Sequence, residues 1–119
     1  MTGKRPNGVR AGLVQLNVSD DPALNLPVTR ALIREAAAGG ADWVLTPEAT
    51  NLLGASRELQ DLILHVESED PTLAALQDEA RALGIWLLIG SLSLKTGEPG
   101  EDRFANRSFL IAPDGGIRA

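Results

Sequence analysis

The amino-acid sequence predicts an α/β protein with a mainly parallel sheet. Short apolar runs alternate with longer amphipathic segments, Asp-Pro pairs stand where these segments begin, and glycines stand where they end. Strands that alternate with helices form parallel sheets through crossover connections, which are almost always right-handed. The last two apolar runs are joined by a connection too short for a helix, which adds an antiparallel hairpin.

The first strand and the first helix are predicted over residues 9–18 and 22–38. The run "VRAGLVQLNV" is mostly apolar and suits a buried strand. Asp21 can cap the helix and Pro22 suits its first position, while a glycine pair ends it. Its apolar side chains recur every four residues and are expected to form the buried face; they are Leu24, Val28, Leu32 and Ala36. Pro27 predicts a kink, or a regular helix that begins only near Asn25.

The middle of the chain is predicted to form a strand, a short helix and a longer helix. The strand covers residues 42–46, and the short helix lies within residues 56–66. The second long helix covers residues 71–83, with Asp70 as its cap and Gly84 at its end. Its inner face is expected to contain four apolar residues: Leu73, Leu76, Ala80 and Leu83.

The chain is predicted to end in two strands and a turn. Residues 85–94 and 103–113 form the strands of the hairpin, and "DGG" at residues 114–116 forms the turn. A turn followed by three residues is a poor place for a domain to finish, so we expect a fragment of a larger domain.

Composition excludes several classes of function. A formal net charge of −5 argues against nucleic acid or an anionic membrane as partner, because both need clustered Lys and Arg. With no cysteine and one histidine, these 119 residues offer no disulfide, thiol nucleophile or multi-histidine metal site. Residues 1–8 are expected to form a flexible tail without a signal peptide's apolar core, and no run is long enough to span a membrane. A cytoplasmic location is therefore expected.

Glu48 is the candidate catalytic residue. It follows the strand of residues 42–46, and ligands of open α/β sheets bind beyond the carboxyl ends of the strands. A carboxylate held there can serve as a general base. The alternative is structural, because Thr46 as cap, Pro47 at the first helical position and Glu48 in the first turn form an ordinary helix start. Spacing alone favours the helix start by about two to one.

Other candidate sites are weaker. Asn17 and Ser19 follow the first strand and can line a pocket by position. The acidic stretch at residues 67–70 lacks the glycine-centred alternation of a calcium loop, so we expect a solvated turn with Asp70 as a helix cap. His65 is expected to be an ordinary surface or half-buried histidine. No glycine spacing typical of phosphate binding occurs.

Four segments in one consistent order resemble the N-terminal half of the carbon–nitrogen hydrolase family, the nitrilase superfamily. They span residues 9–119 and read "VRAGLVQLNV", "AAAGGADWVLTPEATN", "IWLLIGSLSL" and "RFANRSFLIAPDGGIRA". The most specific feature is the strand that ends in Pro-Glu after a helix that closes in "GGAD". The Asn-Arg-Ser strand followed by Pro-Asp-Gly is independent support.

The resemblance implies the N-terminal portion of a four-layer α-β-β-α sandwich, with residues 9–119 as an incomplete hydrolase domain whose subunits pair into homo-oligomers. It also implies a Glu-Lys-Cys triad that hydrolyses nonpeptide C–N bonds in small amides or nitriles, with no cofactor or metal. In that triad the cysteine is the nucleophile, the glutamate accepts its proton, and the lysine stabilises the oxyanion. Glu48 matches the family's glutamate.

The family's lysine and cysteine have no counterpart in this sequence. The lysine lies on the strand after the Asp-Gly turn and the cysteine lies further on, whereas the sequence ends at Ala119. Lys4 and Lys95 do not occupy the lysine's position. We therefore expect part of an amidase acting on small ω-amides or other carboxamides, inactive on its own. The alternatives are a non-catalytic scaffold or interaction module of the same fold and, less favoured, a nucleotide-binding domain.

Overall fold

A computed structural model describes residues 8–98 and 103–119, which form a four-stranded sheet with helices packed on one face. The strands lie in chain order: β1 (Ala11–Leu13), β2 (Trp43–Thr46), β3 (Trp86–Lys95) and β4 (Phe104–Ile111). The first three strands are parallel, and β4 is antiparallel to β3. These pairings confirm the predicted α/β class and the terminal hairpin. The predicted tail lies outside the described residues, apart from Gly8.

Three helices alternate with the strands: α1 (Pro22–Ala38), α2 (Arg57–Ile63) and α3 (Pro71–Leu83). The predicted caps are confirmed. The Asp21 carboxylate accepts the Ala23 N–H at 3.0 Å, and the Asp70 carboxylate accepts the Leu73 N–H at 2.7 Å. Gly84 ends α3 with a φ of 64°, a left-handed conformation that favours glycine. None of the helices that the structure describes is long and apolar enough to cross a membrane.

The buried face of α1 matches the predicted one only in part, since Leu32 and Ala36 pack against the core as predicted. Leu24 and Val28 are 65% and 55% exposed, and the buried positions are instead Asn25, Thr29 and Ile33. The helix is thus rotated so that the next row of side chains faces the sheet. The polar members of that row can be buried because each is hydrogen-bonded; the Thr29 hydroxyl, for example, donates to the Asn25 carbonyl at 2.9 Å. α1 is one helix from Pro22 to Ala38 that includes Pro27, so the predicted later start is wrong.

The first strand is shorter and more exposed than predicted. Of the predicted residues 9–18, only Ala11–Leu13 forms a strand, and Leu13 is 76% exposed. β1 is at the edge of the sheet and pairs only with the four-residue strand β2. One further bond, from the Val14 N–H to the Leu45 carbonyl at 2.9 Å, follows before the chain leaves the sheet. A strand's length depends on its partner, which a local apolar run does not show.

The two faces of the sheet have different environments. Val44, Leu87 and Ile111 are in register, are fully buried and pack in one core with residues of α1 and α3. Side chains alternate along a strand, so their neighbours point to the opposite face. There a second set in register crosses all four strands; this leucine row consists of Leu13, Leu45, Leu88 and Leu110. The stacked rings of Trp43 and Trp86 lie beside it, with centroids 5.0 Å apart.

Candidate active site

Glu48 lies in a turn at the carboxyl end of β2, and its side chain is exposed. The predicted helix start at Thr46 is wrong, because the next helix begins only at Arg57. The Thr46 hydroxyl does not cap a helix; it shares a 2.9 Å hydrogen bond with the Thr50 hydroxyl. Ala49 has a φ of 52°, the one non-glycine residue with a positive φ in the part of the chain described. The turn thus has a specific backbone conformation, and it places Glu48 just beyond the carboxyl end of β2.

The Glu48 turn, residues 47–51, is bonded to β3 through Ser91. The Ala49 N–H donates to the Ser91 hydroxyl at 2.8 Å, and the Thr50 N–H donates to the Ser91 carbonyl at 2.9 Å. The Ser91 N–H donates to the Pro47 carbonyl at 3.4 Å. Ser91 also lies where the pairing of β3 with β4 is irregular, between Ile89 and Leu92.

A glycine beside Ser91 permits the close approach of the turn. A Cβ atom on Gly90 would lie 2.5 Å from the Thr46 carbonyl oxygen and 2.5 Å from the Pro47 carbonyl carbon. Both atoms belong to backbone, which cannot move aside as a flexible side chain can. Glycine at position 90 is thus required for the turn to lie against β3.

Two buried asparagines continue this network toward α1. Asn51 pairs with the backbone of Ser93, accepting its N–H at 2.9 Å and donating to its carbonyl at 3.0 Å. Asn25 donates to the Asn51 carbonyl at 2.9 Å and to the Ser19 carbonyl at 2.8 Å. Ser19, a predicted pocket residue, thus supports the turn indirectly, whereas Asn17 is exposed. Nothing local in the sequence marks these residues as a unit, because the partners come from four separate segments.

A cavity of about 240 Å³ adjoins the Glu48 turn. Among the described residues, none of those that line it is charged; they are Ala49, Leu52, Leu53, Gly54, Ala55, Gln60, Ser93, Phe104 and Asn106. A larger cavity of about 680 Å³ lies between α2 and the first turns of α1 and α3, and its lining includes no residue of the turn. The smaller cavity thus adjoins the turn through Ala49, whereas Glu48 itself lines neither of the two.

The remaining predicted candidates have structural roles. Glu67 forms an ion pair with Arg107 at 2.9 Å. Asp70 is buried as the cap of α3, and burial raises the pKa of its carboxyl. His65 is exposed, and its carbonyl accepts the N–H of Lys95 at the end of β3. Within residues 8–98 and 103–119, no group of three or more His, Cys, Asp or Glu side chains could hold a metal ion.

The family of the chain follows from its sequence. The family model described as carbon-nitrogen hydrolase matches residues 10–119, and the chain belongs to this family. It is 29% identical over 111 residues to a chloroplastic omega-amidase of Arabidopsis thaliana, covering 91% of this chain and 29% of the relative. It is 32% identical over 106 residues to an omega-amidase of Danio rerio, covering 89% and 36%. The chain thus spans about a third of the length of these relatives.

Solved structures of an amidase from Nesterenkonia sp. AN1 have a similar fold. A double mutant in complex with acrylamide has a TM-score of 0.76 and 26% identity, covering 98% of this chain and 44% of the amidase. A single mutant, described as an amidase of the nitrilase superfamily, has a TM-score of 0.77 and 26% identity, covering 98% and 43%. These likenesses confirm the prediction of a portion of the nitrilase-type fold.

Proposed function

We propose that the protein hydrolyses the C–N bond of a small carboxamide and that Glu48 is its general base. The observation that carries the proposal is the position of Glu48. It lies at the carboxyl end of a central strand, in a turn that a hydrogen-bond network holds in place. The family of the chain supports the type of bond, since its relatives include omega-amidases. The described residues that line the cavity beside the turn carry no charge, which suits a short neutral substrate better than an ionic one.

The proposed reaction has two stages. Glu48 accepts the proton of a cysteine thiol, and the thiolate attacks the carbonyl carbon of the amide to form a tetrahedral oxyanion that a lysine stabilises. The intermediate collapses to a thioester as the proton passes to the leaving nitrogen and ammonia departs. Glu48 then takes a proton from water, whose oxygen attacks the thioester; the carboxylic acid is released as the C–S bond breaks and Glu48 returns the proton to the cysteine sulfur.

In this proposal the lysine and the cysteine come from sequence that follows Ala119. A structure of the Nesterenkonia amidase supports a cysteine as the nucleophile, because it shows covalent addition of the acetamide moiety of fluoroacetamide at the active site cysteine of that protein. The coding sequence beyond Ala119 is therefore expected to contain a lysine in the next strand and a cysteine further on. A stop codon directly after Ala119 contradicts this and favours the non-catalytic scaffold.

Glu48→Gln in the full-length protein tests the proposed base. The neutral amide cannot accept a proton, so kcat for ammonia release from butyramide is expected to fall by about 10²- to 10⁴-fold with little change in KM. Butyramide is a suitable probe because a mutant of the Nesterenkonia amidase binds it. Glu58→Gln, at an exposed position on α2, is the matched control. If Glu48→Gln is as active as the control, Glu48 is not the base.

The 119-residue chain alone is expected to release no ammonia from butyramide. The measurement is informative when circular dichroism shows that the isolated chain keeps its helices. Turnover by this chain that Glu48→Gln abolishes contradicts the three-residue mechanism. The pairing of subunits and the cytoplasmic location stay predictions.

A further inference from the structure

The two peptide groups that flank the Glu48 Cα are both hydrogen-bonded to Ser91. The Pro47 carbonyl belongs to the peptide group before Glu48, and the Ala49 N–H belongs to the peptide group after it. The first accepts the Ser91 N–H at 3.4 Å, and the second donates to the Ser91 hydroxyl at 2.8 Å. Because a peptide group is planar, fixing both groups fixes φ and ψ of Glu48 and hence the direction of its Cα–Cβ bond, from which the side chain extends.

The two bonds differ in how much they depend on the Ser91 side chain. The Pro47 carbonyl has a second donor, the Thr50 hydroxyl at 2.6 Å, so the first peptide group stays held without Ser91. The Ala49 N–H has the Ser91 hydroxyl as its hydrogen-bond acceptor. Ala49 also has the left-handed φ of 52°, which a residue with a Cβ adopts only where its surroundings enforce it. The Ser91 hydroxyl is thus the group that keeps the second peptide group in place.

We propose that Ser91 is a positioning residue that sets the direction of the Glu48 carboxylate through its hydroxyl bond to the Ala49 N–H. This inference rests on the proposed role of Glu48 as the base. Ser91 touches neither substrate nor nucleophile in this role. It lies in β3, 43 residues after Glu48 by their numbers, so its effect comes from the pairing of β2 with β3.

Ser91→Ala in the full-length protein tests the inference. It removes the hydroxyl and leaves the backbone bonds of residue 91 intact. We expect kcat for butyramide to fall by about 10- to 100-fold because the base is misplaced, with KM within about twofold. Faster hydrogen exchange of the Ala49 amide should accompany this loss. Ser91→Thr keeps the hydroxyl and is expected to restore most of kcat.

Ser56→Ala is the matched control, because the Ser56 hydroxyl accepts a backbone N–H, that of Leu59 at 3.1 Å, outside the Glu48 turn. A purely structural role predicts that both alanine variants lower the melting temperature alike and leave kcat per folded molecule unchanged. If Ser91→Ala matches Ser56→Ala in kcat while Glu48→Gln is inactive, the positioning role is wrong and the proposed function stands.

A double variant asks whether Ser91 acts through Glu48. In the Glu48→Gln background, Ser91→Ala is expected to cause no further loss of residual activity, because there is no base left to misplace. A loss of the same factor in both backgrounds overturns the inference. A fully active Glu48→Gln protein overturns the proposed function and the positioning role together.

Discussion

At the scale of single residues, two buried carboxylates have pKa values shifted in opposite directions. Asp70 and Glu79 are 5% and 3% exposed. Burial raises the pKa of Asp70 despite the hydrogen bond from the Leu73 N–H. Hydrogen bonds from Arg34 and Arg30 lower the pKa of Glu79 despite its burial. The ion-pair partners, and not burial itself, decide the direction of the shift.

Asp70→Asn is expected to keep the cap of α3 and to remove a burial cost. Asparagine caps helices about as well as aspartate. A raised folded pKa means that the charged carboxylate costs stability above that pKa, and that the cost disappears as the pH falls toward the unfolded value of 3.8. In urea unfolding, the variant should therefore have a higher free energy of unfolding than the wild type at pH 7. This difference should shrink toward pH 4. Asp61→Asn, at an exposed position, is the control. A stability difference for Asp70→Asn that grows in acid contradicts the expected pH dependence.

At the scale of elements, Glu79 joins α3 to α1. Its carboxylate accepts a hydrogen bond from the Arg30 Nε at 2.7 Å and also forms an ion pair with Arg34. Glu79→Gln is expected to lower the free energy of unfolding at pH 7 by about 1–2 kcal/mol, a modest loss because both arginines are partly exposed. A lowered folded pKa gives stability that is present above the unfolded value of 4.5 and is lost as the pH falls through the folded value.

The pH dependence of the Glu79→Gln effect provides its own check. The difference from the wild type in urea unfolding should disappear in acid, when both proteins are neutral at this position. The exposed Glu35 of α1, changed to glutamine, is the control. A difference that stays constant from pH 7 to pH 3 shows that packing, and not the ion pair, is the cause.

Gly90→Ala is expected to separate the Glu48 turn from β3. The new Cβ would meet backbone atoms of Thr46 and Pro47 at 2.5 Å, and overpacking of this kind costs about 1–3 kcal/mol. Butyramide turnover should fall together with the melting temperature. Gly8→Ala, where no neighbour lies within 4 Å of the added atom, should change neither. Unchanged turnover and stability in Gly90→Ala mean that the turn does not need this contact.

Sequence reasoning succeeded for elements that local signals define. The caps at Asp21 and Asp70 and the stop at Gly84 gave α1 and α3 with their observed bounds. Prediction failed where a residue's hydrogen-bond partner is distant in the chain. The rotation of α1 depends on the bond from Asn25 to Asn51, and the turn at Glu48 depends on Ser91. The position of Glu48 was predicted, whereas the network that holds it was not.

At the scale of the whole molecule, the leucine row is an apolar surface that no helix described here covers. Expressed alone, the 119-residue chain is expected to bind a hydrophobic dye and to self-associate as its concentration rises. Leu88→Ser, in the centre of the row, should reduce both effects. Leu62→Ser is the control, because Leu62 is 81% exposed on α2, outside the row. If the two changes reduce dye binding and self-association equally, the leucine row is not the surface through which the chains associate.

The network around Glu48 also has a consequence for biosynthesis. The described residues that hydrogen-bond to the Glu48 turn from outside it lie between Asn25 and Ser93. They are synthesised before the lysine and the cysteine of the proposed mechanism. The base can thus be oriented before its nucleophile has been translated. We expect mutations of the network to lower the yield of the folded protein together with its proposed turnover.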